Sequence, residues 1–283
     1  MLSSNKAMSP FAKIIFWFVA LNAFGGALSL LVFPEVTEHL FFWTITPPIN
    51  ARLLGALYLA GAVSVSSVTQ RGEWESARFL VPVLVAAGLL ISIVTLLHRD
   101  TFTAGIRFFY WMTVYVGAPL LALGVYVQHE RPGANWSITV PITVATRRLA
   151  LISGSVILIA GLLILVWPAE IIPWWPWPIG ALMLRIFAAW FSAFGVGLLW
   201  FRVERDWRRI ALLAKLMVAA SALELLMLAL HHDQLTTTGL QLWIYCAHLA
   251  SFGGLGFLMH WLQWQARMTR IRSRQSYHLS RPN

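Results

Sequence analysis

Eight long apolar segments constrain this chain more than any other feature of its sequence. A bilayer core of roughly 30 Å requires about 20 apolar residues in a helix, because lipid cannot satisfy exposed backbone polar groups. The sequence therefore predicts an all-α, polytopic integral membrane protein with eight transmembrane helices. The segments run near residues 11–33, 50–70, 77–98, 105–128, 148–167, 180–201, 209–231 and 241–264.

The composition agrees with this prediction. Of 283 residues, 59% are hydrophobic and only 11% are charged, about half the charged fraction of a soluble domain. The first apolar run is long and no small-residue cleavage site follows it, so we expect an anchored helix and not a signal peptide. The single cysteine, Cys246, cannot form an internal disulfide, which excludes a disulfide-stapled secreted fold.

The basic residues predict the orientation of the chain. The net charge is +10, and all of the 21 Lys and Arg residues except Arg52, Arg99, Arg107 and Arg185 lie at the chain ends or after predicted helices two, four and six. The positive-inside rule then places both termini in the cytoplasm. This distribution indicates membrane orientation and not a nucleic-acid partner. Membrane lipids are the expected partners, and the sequence identifies no protein partner and no cofactor.

The connections on the other side of the membrane have a different chemistry. Residues 34–49 and 168–179 combine acidic, proline and aromatic residues without Lys or Arg, and their prolines block continuous helix. We expect short segments along the outer surface, with tryptophans at the headgroup level. These segments are either aromatic anchors or a lid over a pocket. The tryptophans are Trp43, Trp174, Trp175 and Trp177.

The sequence contains an internal duplication. Leu-Val-Phe-Pro at 31–34 recurs as Leu-Val-Trp-Pro at 165–168, after a one-residue gap the offset is 133, and one further residue brings Gly105 onto Gly239. This register matches Arg52 with Arg185, Trp74 with Trp207, His98 with His231 and Asp100 with Asp233. We infer two four-helix repeats, residues 1–133 and residues 134–283, the second with a basic cytoplasmic tail. An even number of helices in each copy predicts parallel repeats related by a pseudo-twofold axis along the membrane normal.

Two stretches carry a resemblance to known proteins. FFWTITPPINARLLGA at 41–56 and TLLHRDTF at 95–102 resemble a group of uncharacterised bacterial multi-span membrane proteins. Each half is also similar to DoxX-like four-helix membrane units, chiefly through ARLLGALYLA at 51–60. The second copy departs from the pattern, because WPIGALMLR at 177–185 replaces the double-proline stretch. The resemblance implies a bacterial cytoplasmic (inner) membrane and a four-helix repeat, and it carries over no catalytic residue.

Two charged residues inside predicted helices are informative, because charge is costly in lipid. Glu224 lies seven residues before His231, and Arg185 lies about six residues into predicted helix six, so both reach a similar depth. We expect the two side chains to face each other, directly or through water. Alternatively, Arg185 extends outward to the membrane surface while Glu224 is protonated or bonded to backbone. The first copy has Ile91 in place of Glu224.

The histidines near the outer ends of helices three and seven leave two interpretations open. His98 and His231 each stand two residues before an Asp, and imidazole with carboxylate can bind a metal or exchange protons. Residues two apart do not share a helix face, however, and the helix dipole alone favours His at a C-terminus. Whether a metal binds is left open.

The leading functional hypothesis is the binding or transport of a small or lipid-like ligand in an outward-facing cavity between the repeats. The alternatives are a membrane redox or metal-assisted enzyme, or a structural or assembly subunit of a membrane complex. No nucleophile motif identifies a catalytic residue. The candidate ligand-binding residues are Arg185, Glu224, His231, His232, Asp233, Arg52, His98 and Asp100.

Overall fold

A computed structural model describes residues 7–130, 138–237 and 239–279, with side chains up to residue 269. In these residues eight helices are long and apolar enough to span a membrane, and no strand is formed, so the predicted all-α polytopic fold is confirmed. The predicted repeat boundary at 133–134 lies outside the described residues. The helices are α1 Pro10–Val32, α2 Pro48–Arg71, α3 Trp74–Leu97, α4 Ile106–His129, α5 Val144–Val166, α6 Ala181–Arg202, α7 Trp207–Leu230 and α8 Leu240–Thr269.

Helix boundaries follow local chemistry. Ser9 caps α1 by accepting a hydrogen bond from the Ala12 amide, and Pro10 occupies the first turn, where its missing N–H costs nothing. Gly72 ends α2 in the left-handed conformation, with φ of 66°. The last helix is longer than predicted, because it continues without a break to Leu279.

Two central helices organise the bundle. Helix α2 packs against α1 and α7, while α6 packs against α5 and α3; α4 and α8 complete the two halves by packing on α3 and α7. In the apolar segments of α2 and α6, 72% and 78% of the residues are buried, against 17% in α5. An exchange of the two halves would convert the α2–α7 contact into the α6–α3 contact. This reciprocal pairing is what two parallel repeats require.

Hydrogen bonds recur at the offset read from the sequence. The Met8 amide donates to the Gly72 carbonyl, and the Ile142 amide donates to the Arg205 carbonyl. At the other end of the bundle, the amides of Thr103 and Thr236 donate to the carbonyls of Phe42 and Pro176. Every pair of equivalents is separated by 133 or 134 residues. These contacts support the duplication independently of residue identity.

The two ends of the bundle differ in composition. We call the end where α1, α3, α5 and α7 begin the basic end, and the other end the aromatic end. The aromatic end carries the expected short helical segments, Pro34–Val36, Thr37–Leu40, Pro168–Ile171 and Ile172–Trp174.

Two of the four tryptophans predicted at the headgroup level lie inside the protein instead. Trp43 and Trp177 are 2% and 1% exposed, because their indoles pack edge-on against Trp111 and Tyr245 within each half. Trp174 is exposed, as predicted.

Candidate functional site

The predicted ion pair between Arg185 and Glu224 is wrong as a direct contact. The Arg185 Nε donates to the Leu165 carbonyl at 2.9 Å, and its Nη1 lies 2.8 Å from His98 Nε2. Glu224 is 1% exposed and accepts a hydrogen bond of 3.2 Å from the Tyr245 hydroxyl. The reason is packing: α6 lies against α5 and α3, whereas this carboxylate on α7 faces α8. Within the described residues, no cation lies within salt-bridge distance of Glu224.

Arg52 makes contacts at the aromatic end that match those of Arg185. Arg52 Nη1 donates to the Leu31 carbonyl at 3.2 Å, which matches the contact of Arg185 with Leu165, and Arg52 Nη2 lies 3.5 Å from a Glu35 carboxylate oxygen. Each guanidinium thus caps the C-terminal carbonyls of the preceding spanning helix, a position that the helix dipole favours for a cation.

Each arginine also acts on a histidine of the other half. Burial and the Arg185 cation both lower the pKa of the His98 imidazole. Burial and Arg52 lower the pKa of His231, while Asp233 and Glu35 oppose that shift. Because Arg can only donate, the contact of Arg185 with His98 Nε2 requires a neutral imidazole. The structure therefore brings Arg185 into contact with His98 and places Arg52 near enough to His231 to act on it electrostatically.

The remaining predicted residues stay apart from these pairs. Asp100, His232 and Asp233 are exposed, and His232 Nδ1 contacts the Ala229 carbonyl of its own helix end at 3.2 Å. Across the described part of the chain, no three His, Cys, Asp or Glu side chains are placed to hold a metal ion.

A cavity of about 340 Å³ lies in the first half, away from Arg185 and Glu224. Its lining comes from α1, α3 and α4, with Tyr58 of α2 and Trp190 of α6 at its inner wall, and Phe41 and Phe42 of the aromatic end also line it. The lining is mostly apolar. Leu21, in the middle of α1, lines the cavity and is 63% exposed. The cavity therefore reaches the side of the bundle at membrane depth.

Two hydrogen-bonded pairs bring polar atoms to this cavity. Tyr58 and Tyr115, both buried, share a short hydroxyl–hydroxyl hydrogen bond, and the Tyr110 hydroxyl donates to Asn22 Oδ1. Two hydroxyls that share one bond keep one O–H hydrogen between them. No other hydrogen bond of these two hydroxyls is formed among the described residues, so the Tyr58–Tyr115 pair offers a donor to an acceptor in the cavity.

The wall formed by α4 departs from regular helix. Residues Thr113–Gly117 form a π-helical turn just before Pro119, which has no amide hydrogen to donate. The Tyr115 carbonyl instead accepts from the Ser92 hydroxyl at 3.5 Å. Such wide turns occur frequently at functional sites in helical proteins.

A buried ionic network at the basic end was missed by sequence reasoning. Arg209 contacts Glu75 at 3.4 Å and Glu204 at 3.2 Å, and Arg78 contacts Glu130 at 2.8 Å and Glu204 at 3.5 Å. Arg209 is 3% exposed. Because Glu75 and Arg78 belong to the first half and Glu204 and Arg209 to the second, the network joins the halves. All of these residues lie in loops or first helical turns, where a sequence pattern indicates solvent.

Comparison of the chain with models of protein families, with curated proteins and with solved structures finds no match in any of the three. The DoxX-like resemblance thus stays a prediction, and the site must be interpreted from its own geometry.

Proposed function

We propose that this integral membrane protein binds a lipid-like molecule in the cavity of its first half. The observation that supports the proposal is an apolar cavity of about 340 Å³ that is reached from the side of the bundle and contains a spare hydroxyl donor. Ligand cavities are typically apolar, with few polar groups that orient the ligand. The ligand class is the one predicted from the sequence. The proposed binding site, however, lies in the first half and not between the repeats.

The cavity favours an elongated apolar molecule with an oxygen acceptor. The apolar walls of α1 and α4 match hydrocarbon, and the Tyr58–Tyr115 pair suits a carbonyl, ester or ether oxygen. A buried hydroxyl hydrogen without a partner costs about 1–3 kcal/mol, so an acceptor oxygen there stabilises the complex. Phe41 and Phe42 close the aromatic end of the cavity, in agreement with the lid interpretation of residues 34–49.

The distribution of charge indicates which end of the bundle faces the cytoplasm. The basic end faces the cytoplasm under the positive-inside rule, with both termini on that side. The cavity begins under the aromatic end and reaches mid-membrane at Tyr58, ten residues into α2. The ligand then enters from the outer leaflet of a bacterial cytoplasmic membrane.

The test uses a glycine that borders the cavity. A Cβ added at Gly25 would meet no atom within 4 Å, so Gly25→Leu fills the cavity without a clash at its base. Gly124→Leu is the matched control, because Gly124 is also helical and exposed, has open space around its Cβ and does not line the cavity. Wild-type and variant proteins are purified in detergent, and the molecules that co-purify are extracted and quantified by mass spectrometry.

We expect one lipid-like species to co-purify near stoichiometry with the wild type and with Gly124→Leu, and to fall about tenfold in Gly25→Leu. Tyr58→Phe should lower its retention by a smaller factor, since it removes one hydroxyl and leaves the apolar walls intact. Equal lipid content in all four proteins would refute the proposal.

A further inference from the structure

A second cavity, of about 630 Å³, lies at the basic end of the second half. It is bounded by residues 139–141, the start of α7 and the last turns of α8. Gln263 lines it and is 5% exposed, and its Nε2 has no hydrogen-bond partner. The Nε2 of His260, on the same helix, is also buried without a hydrogen-bond partner. Buried polar atoms are normally paired, so two unpaired nitrogens in one cavity indicate an absent partner.

The first half shows what occupies the equivalent place. There the Glu130 carboxylate accepts from Trp74 Nε1 at 2.8 Å and from Arg78 at 2.8 Å. Trp74 is matched by Trp207 at the offset of 133, and beyond Gly105, which matches Gly239, the offset is 134 and puts Trp264 at the position of Glu130. The alignment is supported by matching ring contacts, Tyr126 on Trp74 and His260 on Trp207. The second half has thus lost a carboxylate and gained a cavity at the same place.

The charges around the cavity favour an anion. Arg267 lines it, is exposed and forms no ion pair within the described residues, and Lys215 lies near enough to His260 to act on it electrostatically. Arg208 also lines the cavity, but it contacts the Asp206 carboxylate at 3.2 Å and Glu75 at 3.8 Å.

The Asp206 carboxylate already has its hydrogen-bond donors within the protein. It is fully buried and accepts from the amides of Thr139, at 2.7 Å, and Val140, at 3.4 Å. Burial alone would raise the pKa of Asp206, but the hydrogen bonds from Thr139 and Arg208 outweigh it and hold the pKa below its ordinary value. Of the two arginines that line the cavity among the described residues, Arg267 is therefore the one without an ion pair.

We propose that this cavity binds a phosphate group, with Arg267 as its ion-pair partner and Gln263 as a hydrogen-bond donor. The phosphate oxygens take the place that the Glu130 carboxylate has in the first half. The phosphate belongs either to an anionic phospholipid headgroup or to a soluble phosphate. Trp207 and Trp264 also line the cavity, and tryptophans at this level are typical of membrane interfaces.

The experiment measures binding to the full chain in two arms. In the first, protein in phosphatidylcholine nanodiscs is compared with protein in nanodiscs that also contain phosphatidylglycerol, by thermal unfolding and by native mass spectrometry of retained lipid. In the second, inorganic phosphate is titrated into the phosphatidylcholine sample. The variants are Arg267→Gln and Gln263→Glu, which is nearly isosteric but adds a negative charge. Arg148→Gln is the control, because it removes one exposed arginine from the same end, outside the cavity.

We expect saturable phosphatidylglycerol binding that weakens about tenfold in Arg267→Gln, is lost in Gln263→Glu and changes less than twofold in Arg148→Gln. Saturable stabilisation by inorganic phosphate with the same dependence on the variants would support the site and identify a soluble ligand. If neither probe binds saturably, or if Arg148→Gln weakens binding as much as Arg267→Gln, the proposal is overturned.

Discussion

At the residue scale, the contacts of Arg52 and Arg185 explain why charge is tolerated at the starts of α2 and α6, at the aromatic end. Arg52 and Arg185 each donate to a carbonyl that the preceding helix leaves without an intrahelical partner. Their remaining charge acts on a histidine of the other half. Stability at this end should consequently depend on the protonation of those histidines.

The protonation of His98 gives the first prediction. Its pKa in the folded protein lies below the ordinary value of 6.5, so the unfolded chain binds the proton first as the pH falls. Stability is therefore lost as the pH falls from about 6.5 through the folded-state pKa. We expect the thermal unfolding midpoint of the wild type to fall between about pH 7.5 and pH 5.5, and His98→Gln, which cannot titrate, to fall less.

The control for this pH series is His39→Gln, because His39 is on the surface of the same end, with a side chain 74% exposed. The unfolding midpoint of His39→Gln should fall with pH as steeply as that of the wild type. Asp206 does not contribute to the change of the unfolding midpoint in this pH range, because its pKa is held below its ordinary value of 3.8. A His98→Gln slope identical to the wild type would show that the imidazole does not contribute.

The sequence identified most of these residues but not their partners. Charge within an apolar run marks Arg185 and Glu224, and the repeat register marks Arg52, His98 and His231. Which residues meet depends on the rotation of each helix and on which helix of one half packs on which helix of the other. Equal depth in the membrane therefore did not predict the partners of Arg185 and Glu224, because it does not place two residues on facing helix surfaces.

At the element scale, the pairing of α3 with α4 shapes the proposed ligand cavity. Gly88 lets α4 approach at its π-helical turn, since a Cβ at that position would lie 2.5 Å from the Pro119 Cγ and 2.5 Å from the Tyr115 carbonyl oxygen. The backbone there cannot move away without opening the helix pair. This glycine is required for close packing, as is common between membrane helices.

Gly88→Ala should accordingly destabilise the protein by about 1–3 kcal/mol, the usual effect of overpacking. Gly124→Ala, on α4 itself, should have little effect or be slightly stabilising, because its Cβ would meet nothing within 4 Å. The measurement is the free energy of unfolding in a denaturing-detergent titration. Equal values for the two variants would mean that α3 and α4 do not pack as described.

Helix positions were the most predictable feature at this scale. Apolar length gave all eight spanning helices, and prolines in the connections indicated breaks between them, namely Pro47, Pro48, Pro173, Pro176 and Pro178. The π-helical turn was not predicted, although Pro119 inside an apolar run is the signal that marks it. The burial of Trp43 and Trp177 was missed because an indole suits both a membrane interface and a protein interior.

At the scale of the whole molecule, the halves are joined by different chemistry at each end. At the aromatic end Arg185 contacts His98 and Arg52 acts on His231 electrostatically, whereas the basic end has the buried network around Arg209. The network has no counterpart under the repeat offset, since Arg209 and Glu75 correspond to Ser76 and Arg208. A near-symmetric helical frame therefore carries asymmetric contacts.

Arg209→Gln should cost about 3–5 kcal/mol of stability, because it leaves buried carboxylates without this cation. Glu75→Gln should also destabilise, and the double variant should cost less than the sum of the two single variants, since the residues are in contact. Arg202→Gln, an exposed arginine at the same end, should change stability by less than about 0.5 kcal/mol. Strict additivity of Arg209→Gln and Glu75→Gln would contradict the contact between the halves.

The proposed duplication rests on matched Arg, Trp, His and Asp residues, and the hydrogen bonds of the structure follow the same register. The sequence could not reveal the two cavities, because a cavity depends on how the surrounding side chains pack, and the second lies where Trp264 stands in place of Glu130. The Glu130–Trp264 difference becomes meaningful only when the surrounding side chains are placed. Function in this molecule is therefore expected where the repeats diverge.

A density map of the protein in a lipid bilayer tests the central claim most directly. The account predicts elongated density between α1 and α4 that ends at the Tyr58–Tyr115 hydroxyls in the wild type and is missing in Gly25→Leu. Direct contact of α1 with α4 that closes the cavity in the wild type, or density unchanged by Gly25→Leu, would contradict it.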